Sequence, residues 1–185
     1  KENSKRDTKI HSKKDLGMYY ALNQGIDLAK GDVIGILNSD DCYYQPDIIN
    51  EVSNAFLKHN CDIVWGNVII TKFKSSDIHR TYNARFDPFK CFQYGIMPPH
   101  PSVFIKKDLY DKYNNFSISY EIASDYDLVL RFLKNTNIRS KFIDKNLVKM
   151  RTGGKSSKSI FSFLKLNYEI FKINRVHRVN YTVKN

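Results

Sequence analysis

The stretch "DVIGILNSDDCYYQPDII", residues 32–49, decides how this chain is read. An apolar run, Val33 to Leu37, stops short of two adjacent aspartates, Asp40 and Asp41, and a proline-led amphipathic segment follows. Apolar residues at successive positions predict a short strand buried on both faces, as in parallel sheets. Pro46 suits the first turn of a helix whose stripe is Ile48, Ile49, Val52, Ala55 and Phe56. Two carboxylates side by side repel, and each raises the other's pKa unless a cation neutralises them. Either solvent screens them in an ordinary turn, or they hold a metal ion.

Outward from this stretch, strands and helices alternate. Upstream, Met18, Ala21, Leu22, Gly25, Ile26 and Ala29 recur at helical spacing and end at Lys30-Gly31, a helix stop. Ile10 and its neighbours are expected to form a short strand. Downstream, Asp62–Trp65 and Val68–Phe73 read as strands, and 74–96 as loop and short helix. The prolines around His100 precede a strand at Ser102–Ile105 and a helix at Lys107–Tyr113. Ser124 suits the N-cap of a helix carrying Tyr126, Leu128, Val129, Phe132 and Leu133. Ile138–Ile143 and Leu147–Met150 read as strands, Gly153-Gly154 as a turn, and Ser159–Asn174 as a closing amphipathic helix. This alternation predicts an α/β domain with a mostly parallel sheet flanked by helices over residues 1–155, then a basic helical tail over 156–185.

At 185 residues, 42% of them hydrophobic, the chain is long enough for one well-filled core. Its formal charge of +11 is uneven. Residues 139–185 hold twelve Lys and Arg against two acids, whereas the middle of the chain is slightly acidic. Basic residues gathered at the ends fit a solvated or membrane-facing tail better than a nucleic-acid groove, so no nucleic-acid partner is expected. Cys42, Cys61 and Cys91 form no CxxC pair, which argues against a zinc knuckle or a disulfide framework and fits the reducing cytoplasm. No apolar run has transmembrane length. The polar start, without Met, suggests a fragment or a processed chain.

Three further segments carry candidate chemistry. In "EIASDYDLVLRF", residues 121–132, Asp125 falls in the first turn of the predicted helix, and Arg131 can pair with Asp127 one turn away. Asp125 is either a capping carboxylate or a general base. The helix dipole lowers its pKa, so a base role needs burial or neighbouring carboxylates to raise it again. In "MPPHPSVFIKKDLY", residues 97–110, three prolines pin the chain around His100, either as a bonded loop residue or aimed into a cleft. "RTGGKSSKS", residues 151–159, lacks phosphate-loop spacing and reads as a loop near an anionic ligand at most. His59 and Cys61 lack the partner pair a metal site needs.

Taken in order, "SKKDLGMYYALNQGIDLAKGDVIGILNSDDCYYQPDII", "HPSVFIKKDLYDKY" and "ASDYDLVLRF" resemble family 2 glycosyltransferases of the GT-A fold, especially bacterial enzymes building surface polysaccharides. The resemblance covers residues 11 to about 155. It implies a GT-A-like (Rossmann-like) domain, lacking the first strands the family normally opens with. It also implies an inverting, metal-assisted transfer from a nucleotide-diphosphate sugar to a glycan or lipid-linked acceptor. Asp40 and Asp41 become the contacts to Mg²⁺ or Mn²⁺, Asp40 with Asp15 meets the donor, Asp125 is the base, and His100 lies on the acceptor side. One departure is Asn38, which stands where the family's Asp-x-Asp-Asp version has its first Asp.

The closing helix leaves two expectations. Its stripe of Ile160, Phe163, Leu164, Tyr168 and Phe171 is expected to pack on the domain, as most amphipathic helices do. The alternative is that the tail holds the protein peripherally on the inner, anionic face of a membrane. A different function class stays open beside the enzyme: an inactive domain serving as a binding or membrane-associated module.

Overall fold

The structure, a computed structural model, describes residues 10–12, 14, 16–71, 78–85, 87–151 and 160–180. Asp15, residues 152–159 and most of the basic N-terminus lie outside the described residues, so the turn expected at Gly153-Gly154 does too. In chain order the first elements are α1 (Met18–Leu28), β1 (Val33–Gly35), β2 (Cys42–Tyr43) and α2 (Ile48–His59). Next come β3 (Ile63–Thr71), β4 (Ile78–Tyr82) and α3 (Pro88–Cys91). The last are β5 (Val103–Lys106), α4 (Lys107–Tyr113), α5 (Ser124–Leu133), β6 (Ser140–Arg151) and α6 (Ile160–Val176).

The strands form one sheet in the order β1-β5-β3-β6-β2, with β4 paired to β3. It is mixed, not mostly parallel. Among the described residues only β3 and β6 pair in parallel, and the other pairings are antiparallel. The alternation implies parallel strands only if each crossover carries a helix back over the sheet. Here β4 returns directly from β3, and β5 takes up the same edge of β3, so both run against it. The two strands predicted from Ile138 to Met150 join into β6, which absorbs the break through register shifts opposite Trp65, Asn67 and Val68. Ile10 is 90% exposed and in no strand.

Side chains of β3 alternate between two cores. Ile63 and Trp65 join Val103, Ile105, Leu128, Phe132 and Ile173 on the face covered by α1, α4, α5 and α6. Val64 and Val68 join Ile48, Val52, Phe56, Phe104 and Leu147 beneath α2. A strand buried on both sides accounts for the continuous apolar reading of this segment. At Gly66 β3 passes so close to β6 that an added Cβ would sit 2.8 Å from the Lys145 carbonyl.

Two helices turn differently from their apolar spacing. In α1 the buried residues are Tyr19 and Ile26, while Met18 is exposed. In α6 the expected stripe points outward: Ile160, Phe163, Leu164, Tyr168 and Phe171 are all exposed, and Phe161 beside them is 84% exposed. Its buried face carries Glu169, Ile170, Ile173 and Asn174 instead. Polar partners waiting on α5 and the preceding loop select this rotation (below). No helix among the described residues is long and apolar enough to cross a membrane.

Candidate active site

The connection from β1 to β2 sets the aspartate pair. Asp41 N–H donates to the Asn38 carbonyl at 3.1 Å, closing a turn, and Asn38 Nδ2 donates to Asp41 Oδ2 at 2.9 Å. Asn38, the departure from the resembled motif, thus acts as a donor that orients Asp41. Pairing of Cys42 with Lys149 and of Tyr43 with Val148 anchors the far side of the turn. Asp40 is exposed and Asp41 half-buried. Burial pushes the Asp41 carboxyl above its usual range; Asn38 and the Arg151 N–H oppose this, and the neighbouring Asp40 charge adds to it.

Asp125 lies in the first turn of α5. Its Oδ1 accepts the Tyr126 N–H at 2.9 Å and lies 3.4 Å from the Tyr19 hydroxyl, which itself donates to the Ile122 carbonyl at 2.6 Å. Burial pushes the Asp125 carboxyl up, against the lowering effects of His100, local N–H groups and Tyr19. Burial, foreseen as the condition for a base role, therefore outweighs the helix terminus. The expected Ser124 N-cap is replaced by Ala123, because Ser124 is already helical and its Oγ donates to the Ser117 carbonyl at 2.6 Å. Asp127 pairs with Arg131 at 3.3 Å.

His100 opens a single 3₁₀ turn, His100–Ser102, before β5. Ser102 fixes that turn: its Oγ is 2.8 Å from the Gly66 carbonyl and 2.9 Å from that of Pro99. The imidazole meets the Phe116 ring edge-on at 5.7 Å, and Tyr19 stacks on the same ring at 5.5 Å. Burial holds the His100 pKa below its ordinary value, while the charges of Asp125 and Asp41 pull it up. The imidazole thus feels both carboxylates. Asp41, His100 and Asp125 are brought into one electrostatic neighbourhood, with Asp40 beside Asp41. Tyr19 and Phe116 complete its wall, and neither stood out in the sequence. A tyrosine seven residues before Ile26, hence on the same helix face, was the available signal for Tyr19.

Among the described residues no three His, Cys, Asp or Glu side chains gather as a metal cage. The donor set at the turn is two carboxylates, hard oxygen ligands suited to a cation that completes its shell with phosphate and water, as Mg²⁺ does. A separate groove of about 1020 Å³, between α2 and the β1–β5 face, is lined by residues including Lys30, Asp32, Phe56, Phe104 and Lys106, and not by Asp40, Asp41, His100 or Asp125.

The family whose pattern matches residues 2–125 is described as Glycosyl transferase family 2. A PGL/p-HBAD biosynthesis glycosyltransferase of Mycobacterium tuberculosis (strain H37Rv) is 28% identical over 138 residues, 72% of this chain and 50% of that protein. An uncharacterized glycosyltransferase of the same strain is 26% identical over 121 residues, 65% of this chain and 45% of that protein. The chain spans about half the length of the curated relatives it matches. Among solved structures, residues 1–349 of Staphylococcus aureus TarS in complex with UDP-GlcNAc align with a TM-score of 0.63 at 15% identity, covering 91% of this chain and 48% of that one. The same protein without that ligand aligns with a TM-score of 0.60. At this identity the likeness concerns the fold, an α/β architecture of GT-A type.

Proposed function

The chain belongs to glycosyl transferase family 2, and from that premise we propose that it serves metal-assisted, inverting transfer of a hexosyl group from a nucleotide-diphosphate donor to a hydroxyl. The acceptor is a glycan or a lipid-linked sugar in surface-polysaccharide biosynthesis. The observation that carries this reading is the position of His100, whose imidazole feels the charges of both Asp125 and Asp41. The buried carboxyl and the aspartate turn thus act on the same imidazole, which supports their working together.

Asp40 and Asp41 would hold Mg²⁺ or Mn²⁺, which when bound neutralises the charge growing on the departing diphosphate. Asp125 takes the acceptor hydroxyl proton as the oxygen forms its bond to the anomeric carbon, opposite the breaking bond to the diphosphate. A pKa raised by burial makes Asp125 a stronger base than an exposed carboxylate. His100, kept neutral near pH 7 by its lowered pKa, can orient the acceptor hydroxyl without adding charge. Asp15 is assigned to the donor side from sequence alone. Incubating the protein with a UDP-sugar and Mn²⁺ should release UDP, and Asp41→Ala should remove the metal-dependent part. Turnover unchanged by that substitution would refute the metal assignment.

The outer face of α6 supports a place at the cytoplasmic side of an anionic membrane. Exposed Phe161, Leu164 and Tyr168 share that side with Lys165, Lys172 and Arg175. Lys172 lies over Tyr168 and Arg175 over Phe171, so cations and rings form one surface. The only acid of α6, Glu169, is buried on the opposite side. Apolar rings with a cationic fringe complement an anionic lipid interface.

A further inference from the structure

We propose that Glu169 of α6 is a positioning residue for Asp125, holding the segment that leads into it; this rests on the reading of Asp125 as the base. Glu169 is 6% exposed. Its Oε1 accepts the Glu121 N–H at 3.0 Å, and its Oε2 accepts the N–H groups of Ile122 and Ala123 at 2.9 and 2.8 Å. Three successive amides thus converge on one carboxylate from 46 to 48 residues away. Residues 114–123 form no helix or strand, so these donors have no ladder partner and need another acceptor.

The next turns of α6 grip the other side of Asp125. The Tyr126 hydroxyl donates to Asn174 Oδ1 at 2.9 Å, and His177 Nε2 lies 2.8 Å from Asp127 Oδ1. Residues 121–123 and 126–127 are therefore held by α6 and the residue just after it, with Asp125 between them. Ile170 and Ile173 already supply apolar docking of α6. The buried carboxylate adds direction, through charge-assisted bonds stronger than neutral ones. Tyr19, also tied to the Ile122 carbonyl in this segment, approaches Asp125 from α1. A shift of the segment therefore moves the base relative to both Tyr19 and His100.

Glutamine at 169 is nearly isosteric but keeps a single acceptor oxygen and turns an NH₂ toward the backbone donors. In the full chain with Glu169→Gln, NMR should show faster amide exchange at 121–123 and an Asp125 titration midpoint moved down toward the ordinary carboxylate value, as the carboxyl becomes hydrated. With a UDP-sugar and Mn²⁺, kcat should fall by about tenfold or more, since misplacing a reacting group by 1 Å can cost about a hundredfold. The donor KM should stay within about twofold. Glu51→Gln, which removes a carboxylate paired with Lys145 beneath the other face, should alter neither kcat nor the midpoint. An Asp125 midpoint and kcat equal to wild type in folded Glu169→Gln overturn the proposal. If that variant does not fold, Glu169→Asp keeps the charge but withdraws it by one methylene from the three amides, and an unmoved Asp125 midpoint and kcat there overturn the proposal equally. Absence of turnover in the wild type would refute the transferase reading instead, and the titration would still decide the role of Glu169.

Discussion

The Asp125 carboxyl accepts one N–H and lies near one hydroxyl, yet burial outweighs both and lifts its pKa. A carboxyl whose folded pKa exceeds its unfolded value binds its proton more tightly when folded. The stability it gives is full below the unfolded pKa, near 3.9, and is lost as the pH rises through the raised folded value. Asparagine keeps the Oδ1 acceptor and escapes that loss. Asp125→Asn should therefore melt above wild type at pH 7 and level with it at acid pH, in scanning calorimetry across pH. The same variant should lose transfer by about a hundred- to ten-thousandfold, the worth of a general base. A variant that melts lower at pH 7, or turns over normally, contradicts the assignment. Asp40, Asp41, His100 and Asp125 were all legible as candidates, because two acids after an apolar run and a histidine among prolines are local signals. Tyr19, Phe116 and Glu169 were not, since each matters through a contact some 50 to 100 residues away, Phe116 through Tyr19. Spacing within one helix shows at most which face a residue shares, as for Tyr19 with Ile26, and not what it meets.

At the scale of elements, the helices and the strands long enough to be buried were legible from periodicity. Pairing direction was not. Whether a strand runs with or against β3 depends on the path of residues 83–102, where Gly and Pro mark irregular chain without giving its course. Rotation of α6 was misread for a related reason: its apolar stripe is real, but three amides near α5 compete for its polar side. Buried donors lacking an acceptor cost about 1–3 kcal/mol each, comparable with burying an aliphatic side chain. Gly66 is the tightest test of the β3–β6 contact. Its Cβ would meet Leu147 Cγ at 2.7 Å and the Lys145 carbonyl at 2.8 Å, and backbone cannot swing aside. Gly66→Ala should destabilise by roughly 1–3 kcal/mol, read as a lower midpoint in urea. Because Ser102 bonds the Gly66 carbonyl, the His100 turn should loosen with it. An unchanged midpoint would show that β6 yields at no cost.

At the scale of the whole molecule, the exposed side of α6 gathers Phe161, Leu164 and Tyr168 with Lys172, Arg175 and a Lys165 that pairs with Glu121. Each basic residue near an anionic surface contributes on the order of 1 kcal/mol. The chain should cosediment with phosphatidylserine vesicles at low salt, less at high salt, and little with neutral vesicles. Phe161→Ser with Leu164→Ser should weaken this; equal binding to neutral vesicles would contradict the role of charge. The α/β class was readable from strand–helix alternation and the basic ends from the charge count, whereas the outward stripe required the packed fold. The joint demand on Asp40 and Asp41, to bind a cation and through it a nucleotide diphosphate, is tested most directly by calorimetry with UDP. Mn²⁺ should produce saturable UDP binding that a chelator abolishes, Asp41→Ala loses and Asp125→Asn retains. No binding with Mn²⁺ present, or binding that Asp41→Ala leaves intact, would contradict it.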